Sequence, residues 1–184
     1  MTNRRRLLTS LPALAGAAMA APAAEWKDPF ARSWRDSFLK HWQVTKDYTM
    51  AFADALPADA YGFKPVEVQR SYAEQLVHIG SANAAYMTAF KVKDAPARLT
   101  ATDKAAVRAY LLATFDYVTA VLQLIQEKDL IRTDLQFSTR NKPHSGTDLF
   151  MRAYMHTAHH RGQLVGYLRA KGITPPTWAF EPTA

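Results

Sequence analysis

Two histidines on one predicted helix, His156 and His160, are the side chains of this sequence best placed to share a metal ion. At about 100° per residue, positions four apart lie one turn above each other and about 40° apart around the helix axis. A metal site that also performs chemistry usually takes three protein ligands and leaves positions open for water or substrate. The best candidate for the third ligand is His78, which falls on a different predicted helix. The pattern therefore predicts a three-histidine site for one divalent ion, provided that the two helices meet.

The other histidines have weaker claims on such a site. His159 lies about 60° from His156 and about 100° from His160 around the helix, so it is expected to point toward a flank. His41 falls within an aromatic helical stretch and His144 within a loop beside a proline, and neither has a partner at ligand spacing. We therefore expect structural or surface roles for these three residues.

Two polar side chains are candidates for assisting roles around the ion. Gln163 shares the stripe of the paired histidines, where it could orient a ligand or make an ordinary hydrogen bond inside the fold. Glu74, one turn before His78, is better explained by the pattern Ser71-x-x-Glu74, a capping box at a helix start. A fourth ligand from Glu74 or Gln163 would close the site and favour a non-catalytic protein.

Helical periodicity divides the chain after residue 28 into four stretches with recognisable end signals, such as proline in a first turn and glycine after a last one. The predicted helices run from Asp28 to Pro57, from Ser71 to the stop at Asp94-Ala95-Pro96, from Thr100 or Thr102 to about Lys128, and from Thr147 or Asp148 to Lys171. Residues 130–147 show no clear period, so we expect a loop with a short extended piece.

Four amphipathic helices of comparable length predict an all-α fold, a four-helix bundle whose cofactor site lies between facing helices. The domain is expected to span residues 28–178. The sequence does not determine the order in which the helices pack. Whether the helix of His78 meets the helix of His156 therefore depends on the tertiary structure.

The first 23 residues are typical of a targeting segment. Arg4-Arg5-Arg6 precede an apolar run of small residues from Leu7 to Ala21, as in a signal peptide. The paired arginines directly before Leu7-Leu8 resemble a twin-arginine signal. The run is shorter than the about 20 apolar residues that span a bilayer, so no stable membrane anchor is expected. The sequence therefore predicts a protein that is exported to the periplasm.

Composition and missing motifs exclude several functions. The chain has 23 basic and 16 acidic residues, but its Lys and Arg residues do not cluster after the leader, so nucleic-acid binding is not expected. The absence of cysteine excludes disulfides, thiolate ligands and a cysteine nucleophile. The glutamate spacing of di-iron bundles, the His-Glu-x-x-His pair, Gly-rich phosphate loops and the serine-hydrolase elbow are also absent.

A set of short motifs resembles the DinB-like family over about residues 30–178. The set comprises Leu56-Pro57, Tyr61-Gly62-Phe63-Lys64-Pro65, Ser71 leading to His78, His156-x-x-His159-His160-Arg161-Gly162-Gln163, Tyr167-Leu168-Arg169, and Gly172 through Pro176. The resemblance implies a four-helix bundle that binds a divalent metal ion, such as zinc, nickel, iron or manganese, and often forms a homodimer. The positions that match the family's three histidine ligands are His78, His156 and His160.

The resemblance implies a metal site more firmly than a reaction. Characterised relatives include thiol-dependent transferases and isomerases, and others are named only as metal-dependent hydrolases or damage-induced proteins. Because the thiol cosubstrates are cytosolic, export disfavours a thiol transferase. One hypothesis is a metal-dependent hydrolase or transferase with a small-molecule substrate. The alternatives are a non-catalytic, metal-stabilised binding or stress-response bundle and a metal-free interaction module.

Histidine ligation makes metal binding depend on pH. Neutral imidazole is the form that binds, and its ordinary pKa is about 6.5. The metal affinity is therefore expected to fall as the pH drops toward about 5.

Overall fold

The structure is a computed structural model that describes residues 25–138, 140 and 142–178. The predicted signal peptide at residues 1–23 lies outside this part of the chain. The described residues form five α-helices, which are α1 (Pro29–Ala55), α2 (Tyr72–Met87), α3 (Lys104–Leu124), α4 (Glu127–Ile131) and α5 (Gly146–Ala170). Short 3-10 turns at Ala58–Ala60 and Thr88–Phe90 follow α1 and α2. The prediction of an all-α fold with four long helices is confirmed.

Side-chain caps set the starts of α1 and α2 where the sequence predicted them. The structure differs at three other ends, because Asp103 caps α3 in place of Thr100 or Thr102, Ser145 caps α5, and α2 ends at Met87, before the expected stop at Asp94. Asp28 accepts a hydrogen bond from the backbone N–H of Ala31 at 2.7 Å at the start of α1. Ser71 and Glu74 form the reciprocal capping box of α2, which fixes the start of the helix that carries the first histidine. Beyond α5, Gly172 has a φ of +71°, a left-handed conformation that glycine adopts without steric cost.

The four long helices pack in an order that the sequence left open. α1 lies against α3 and α5, and α2 lies against the same two helices, so α1 and α2 are diagonal across the bundle. Large apolar side chains are fully buried between the helices, among them Trp42, Phe52, Leu76, Phe115 and Phe150. α2 and α5 are neighbours, which is the contact that a shared three-histidine site requires.

The third long helix, α3, is strongly apolar. Its length and its mean hydropathy of 1.3 would be sufficient for a membrane span, but half of its most apolar stretch of 18 residues is buried inside the protein. A helix that is apolar around most of its circumference is expected in the core of a bundle. The composition of α3 is therefore explained by its packing against α1 and α2.

The connection between α3 and α5 contains more structure than its sequence predicted. A break at Gln126 separates α4 from α3, where a continuous third helix was expected. Gln126 and Asp129 form a capping box at the start of α4, and such local hydrogen bonds compete with helix continuation. Leu135 and His144 then pair as an isolated antiparallel bridge, which matches the short extended piece predicted here.

Gly146, at the start of α5, has no room for a side chain. A Cβ atom there would lie 2.1 Å from the carbonyl oxygen of Asp129 and 2.8 Å from Cα of Leu130. We expect Gly146→Ala to lower the free energy of unfolding by about 1–3 kcal/mol, because the backbone of α4 must move. Gly162→Ala is the matched control, since a Cβ there meets nothing within 4 Å, and it should stabilise by about 0.5–1 kcal/mol. Equal stability of the two variants in urea would contradict this close packing.

Candidate metal centre

The contact between α2 and α5 brings the three predicted histidines together. Nε2 of His78 lies 3.1 Å from Nε2 of His160 and 3.2 Å from Nε2 of His156. One ring nitrogen from each of the three lies within 4.8 Å of the other two. His160 is buried, with 8% of its surface exposed, and the other two are half-buried. Within the described part of the chain, no other group of histidine and carboxylate side chains converges closely enough to hold an ion.

The separations between these nitrogens fit the ligation of one divalent ion. Two imidazole nitrogens bound to zinc at about 2.05 Å are about 3.3 Å apart in tetrahedral geometry and about 2.9 Å apart in octahedral geometry. The observed separations of 3.1 and 3.2 Å lie between these values. The two separations that involve His78 therefore fit a metal ion without a large rearrangement, and the ligand nitrogens of His156 and His160 lie within 4.8 Å of each other. Three imidazoles suit zinc, iron or nickel better than manganese, which prefers oxygen ligands.

Gln163 and Gln75 both contact Nδ1 of His160. The side-chain oxygen of Gln163 lies 2.8 Å and the amide nitrogen of Gln75 lies 2.7 Å from Nδ1, so these amides hold this edge of the ring while Nε2 faces His78. The amide nitrogen of Gln75, on α2, donates to the same oxygen. The amide nitrogen of Gln163 lies 3.2 Å from Nε2 of His159. Gln163 thus makes the orienting contact that its position in the sequence suggested.

Packing rather than hydrogen bonding orients His156. Its Nδ1 is buried and has no hydrogen-bond partner among the described residues. The ring of Tyr86 packs edge-on against it, with ring centroids 6.0 Å apart, and Phe137 packs against Tyr86 at 5.0 Å. Aromatic side chains from α2 and from the connection before α5 therefore hold this imidazole in place.

Burial keeps the three histidines neutral. Desolvation lowers the pKa of His78 to about 4, and the positive charge of Arg70 contributes in the same direction. The pKa of His156 is also lowered to about 4, chiefly by burial and then by the neighbouring histidines. Burial lowers the pKa of His160 as well, against the opposing effect of its hydrogen bond with Gln163. The metal-binding form of each imidazole therefore persists below the pH at which an ordinary histidine titrates.

The other sequence candidates lie outside the three-histidine group. The carboxylate of Glu74 accepts a hydrogen bond from the backbone N–H of Ser71 at 2.6 Å, so it serves the start of α2. Nδ1 of His144 lies 2.7 Å from a carboxylate oxygen of Asp148. His41 is exposed on α1. These contacts agree with the structural or surface roles expected from the sequence.

A cleft of about 670 Å³ opens beside His78, and its lining includes Arg70 and Arg98. These arginines lie in the connections before α2 and before α3, and no spacing in the sequence relates them to the histidines. Gln75 was also not predicted, although its position three residues before His78 places both on one face of α2. The surroundings of the site therefore depend on residues from several connections as well as from two helices.

Comparison with known proteins identifies the family. The model of the DinB family matches residues 29–182. The chain belongs to the DinB family. This DinB-family protein is similar in structure to a DinB-like protein from Bacillus cereus, with a TM-score of 0.66 and 20% identity over 77% of this chain and 95% of that chain. A DinB-like protein from Bacillus subtilis has a TM-score of 0.57 and 27% identity, over 82% of this chain and 99% of that chain. No curated protein matches the chain.

Membership of the DinB family confirms the resemblance inferred from the sequence motifs, and the structural neighbours agree with the helical-bundle architecture. DinB-family proteins are metal-binding in general, and the three histidines of this chain are compatible with that property. The two neighbours are named only as DinB-like, so they carry no information about a reaction.

Proposed function

We propose that this DinB-family protein binds one divalent metal ion through His78, His156 and His160 and uses it as an exported hydrolase or transferase of small molecules. The observation that carries the proposal is the convergence of three imidazole nitrogens, with separations of 3.1 and 3.2 Å, beside an open cleft. A site with three protein ligands leaves coordination positions for water and substrate, as catalytic sites do.

The two side chains that could close the site are engaged elsewhere. The carboxylate of Glu74 holds the backbone N–H of Ser71. The oxygen of Gln163 faces Nδ1 of His160, whereas Nε2 of that ring faces His78. No carboxylate among the described residues joins the three histidines. These contacts support an open site rather than the closed site expected of a purely stabilising ion.

A divalent ion bound here would lower the pKa of a bound water and polarise a substrate oxygen. The protein's own side chains supply the orientation of the ligands. Gln163 contacts Nδ1 of His160, and Tyr86 packs against His156. Because the imidazoles are neutral, they leave the positive charge of such an ion uncompensated, which would strengthen its polarisation of a substrate oxygen.

We further propose that the protein acts in the periplasm, where its N-terminal segment directs it. A twin-arginine signal would export the folded chain, so the metal would be loaded before transport. Because low-molecular-weight thiols are cytosolic, this location favours hydrolysis over thiol transfer. A homodimer is the assembly that the family resemblance implies, and a role in stress response belongs to the non-catalytic alternative.

Metal-dependent turnover tests whether the site is catalytic. We expect protein purified anaerobically from its native compartment to contain about one divalent ion per chain. Removal of the ion with a chelator should lower the rate of hydrolysis of p-nitrophenyl acetate or p-nitrophenyl phosphate by at least about tenfold, and its return should restore the rate.

The free ion at the same concentration is the control for metal catalysis in solution. A small thiol with 1-chloro-2,4-dinitrobenzene tests transferase activity in parallel. If zinc, nickel, iron or manganese raises the melting temperature but supports neither hydrolysis nor transfer, the protein is a metal-stabilised binding protein and the catalytic proposal is wrong.

A further inference from the structure

Two cavities meet at His78. The larger, of about 670 Å³, lies between the connection that precedes α2 and the connection that precedes α3, and it is bordered by Arg70 and Arg98. The smaller, of about 440 Å³, is also bordered by His78 and Arg98, and small apolar side chains such as Ala82 and Ala85 line much of it. A substrate next to the proposed ion would therefore be in contact with both cavities.

Two arginine charges act at this junction. Arg70 and Arg98 are exposed, and neither guanidinium forms an ion pair with a side chain of the described residues. Both positive charges lower the pKa of His78, so both are close enough to influence a ligand beside it. The guanidinium groups of Arg70 and Arg98 border the same cavity and are unpaired within the described part of the chain, so they are available to a ligand.

The acidic residues of the larger cavity do not cancel these charges. Its lining contains Glu67 and Glu74 together with a third basic residue, Lys64. One carboxylate oxygen of Glu74 accepts from the backbone N–H of Ser71, so this group is committed to the helix start. With three basic and two acidic side chains, the lining of the cavity has a net positive charge before any metal ion is added.

We propose that the substrate carries an anionic oxyacid group, a carboxylate or a phosphate, which Arg70 and Arg98 hold beside the metal centre while an apolar portion occupies the smaller cavity. This inference names a substrate class for the proposed function and rests on it. Arg70 and Arg98 are positioning residues in this arrangement, and the reacting bond lies next to His78.

The chemistry of arginine favours this ligand. A guanidinium group is planar and donates paired hydrogen bonds to carboxylate or phosphate oxygens. The three neutral imidazoles bring no negative charge, so an anion is attracted both by the ion and by the arginines. A cationic substrate would meet repulsion from all of these groups, and a neutral one would gain no charge attraction from them.

The smaller cavity limits the size and polarity of the rest of the substrate. The methyl side chains of Ala82 and Ala85 leave space along α2, and this space suits a compact apolar group such as a phenyl ring. One polar pair lies at its edge, where the hydroxyl groups of Ser81 and Tyr110 are 3.1 Å apart. The predicted substrate is therefore a small amphipathic acid rather than a polar sugar or a polymer.

Binding of model compounds to the zinc-loaded protein tests the proposal. Isothermal titration calorimetry would compare benzoate, phenyl phosphate, inorganic phosphate and the neutral analogue benzamide. We expect benzoate or phenyl phosphate to bind at least about tenfold more tightly than benzamide. The ratio between the two anions distinguishes a carboxylate site from a phosphate site.

Arginine variants separate the cleft from the ion as the source of anion binding. Arg70→Gln and Arg98→Gln should each weaken binding of the preferred anion by about five- to tenfold. Arg32→Gln, which removes an exposed arginine on α1, is the matched control and should change binding by less than about twofold. Ala85→Leu should weaken phenyl phosphate or benzoate binding and leave inorganic phosphate binding unchanged, because only the apolar portion meets the new side chain.

The outcomes of this experiment separate the two proposals. Two results would overturn the proposed substrate class if zinc binding is intact. The first is an anion affinity that is equal in Arg70→Gln, Arg98→Gln and the unchanged protein. The second is the absence of anion binding. Failure to take up zinc would count against the proposed function instead. Titration of the metal-free protein with the same anions then tests the arginine pair by itself, and a lack of any difference between the variants there would overturn it.

Discussion

Replacing His160 with alanine should abolish stoichiometric metal binding and lower the affinity for zinc by at least about a hundredfold. His160 is the most buried of the three histidines, and its Nε2 lies 3.1 Å from that of His78. Its loss leaves only two half-buried imidazoles. Loss of a residue that merely orients a ligand already costs about ten- to a hundredfold in affinity, so loss of a ligand should cost more. His78→Ala should have a similar effect, because Nε2 of His78 contacts both other rings.

Two measurements check this result. Elemental analysis of the purified variants determines how much metal each chain retains, and competition with a chelator determines the zinc affinity. Thermal unfolding is independent of both. An ion that binds only the native state stabilises it by about 2.7 kcal/mol at about 100 times its Kd. For a domain of this size that is roughly 5–10 °C in Tm, and the two variants should lack the shift.

Histidines outside the group supply the matched controls. His41→Ala removes an exposed imidazole on α1 and should leave zinc affinity unchanged. His159→Ala removes the residue directly before His160. It should alter affinity by less than about fivefold, because the Nε2 of His159 contacts Gln163 rather than the other imidazole nitrogens of the site. Full retention of metal in both His78→Ala and His160→Ala would exclude this site.

Zinc binding should survive to about pH 5 and be lost only near about pH 4. Protons and metal compete for the same nitrogens, so the affinity falls where the imidazoles of the folded, metal-free protein titrate. Burial lowers the pKa of His78 and of His156 to about 4. The expectation of a decline toward pH 5, which assumed the ordinary pKa of about 6.5, is therefore revised by the structure.

The same pKa shifts make the metal-free protein less stable in acid. The unfolded chain protonates these histidines near about pH 6.5, and the folded protein does so only near about pH 4, so the unfolded state binds more protons in between. The free energy of unfolding therefore falls as the pH drops through this window and levels off below the folded pKa. We expect a loss of about 1–2 kcal/mol per imidazole, because solvent screens these half-buried rings.

Urea unfolding of the metal-free protein at about pH 7, 5.5 and 4.5 measures this loss. The matched variant is His78→Gln with His156→Gln, in which the side chains stay polar but cannot take up a proton in this range. The difference between the two proteins isolates the imidazoles from the carboxylates that titrate in the same window. Two results together would contradict the conclusion that these histidines are buried and neutral. The zinc affinity would decline steeply between about pH 6.5 and 5.5, and the free energy of unfolding would depend on pH identically in the double variant and the unchanged protein.

Local signals predicted the long helices and most of their ends. The caps at Asp28 and Ser71 and the left-handed Gly172 act within a few residues of each helix end, so their effect can be recognised without the tertiary structure. The break at Gln126 was missed because its capping box with Asp129 lies inside a stretch that continues the helical period. Competition between a cap and a continuing helix is decided by packing as well as by the local sequence.

The parts of the candidate site that lie close together in the sequence were predictable, and the parts that come from distant segments were not. His156 and His160 share one helix, and helix geometry alone brings them together. His78 was a candidate from its residue type and from the family resemblance, but its distance from the pair is set by the packing of α2 on α5. Arg70 and Arg98 carried no signal, because each lies in a connection whose path periodicity does not describe.

The sequence by itself determined the helical class of the protein, the approximate ends of its long helices, the histidine pair on one of them and the family to which the chain belongs. The tertiary structure decided which helices are neighbours, which ring nitrogen of His160 faces His78, how far burial lowers the histidine pKa values and which charges face the cleft. The division has one physical reason. Helix formation and capping depend on groups a few residues apart, whereas ligand geometry, desolvation and electrostatic potential depend on distances between atoms that are remote along the chain.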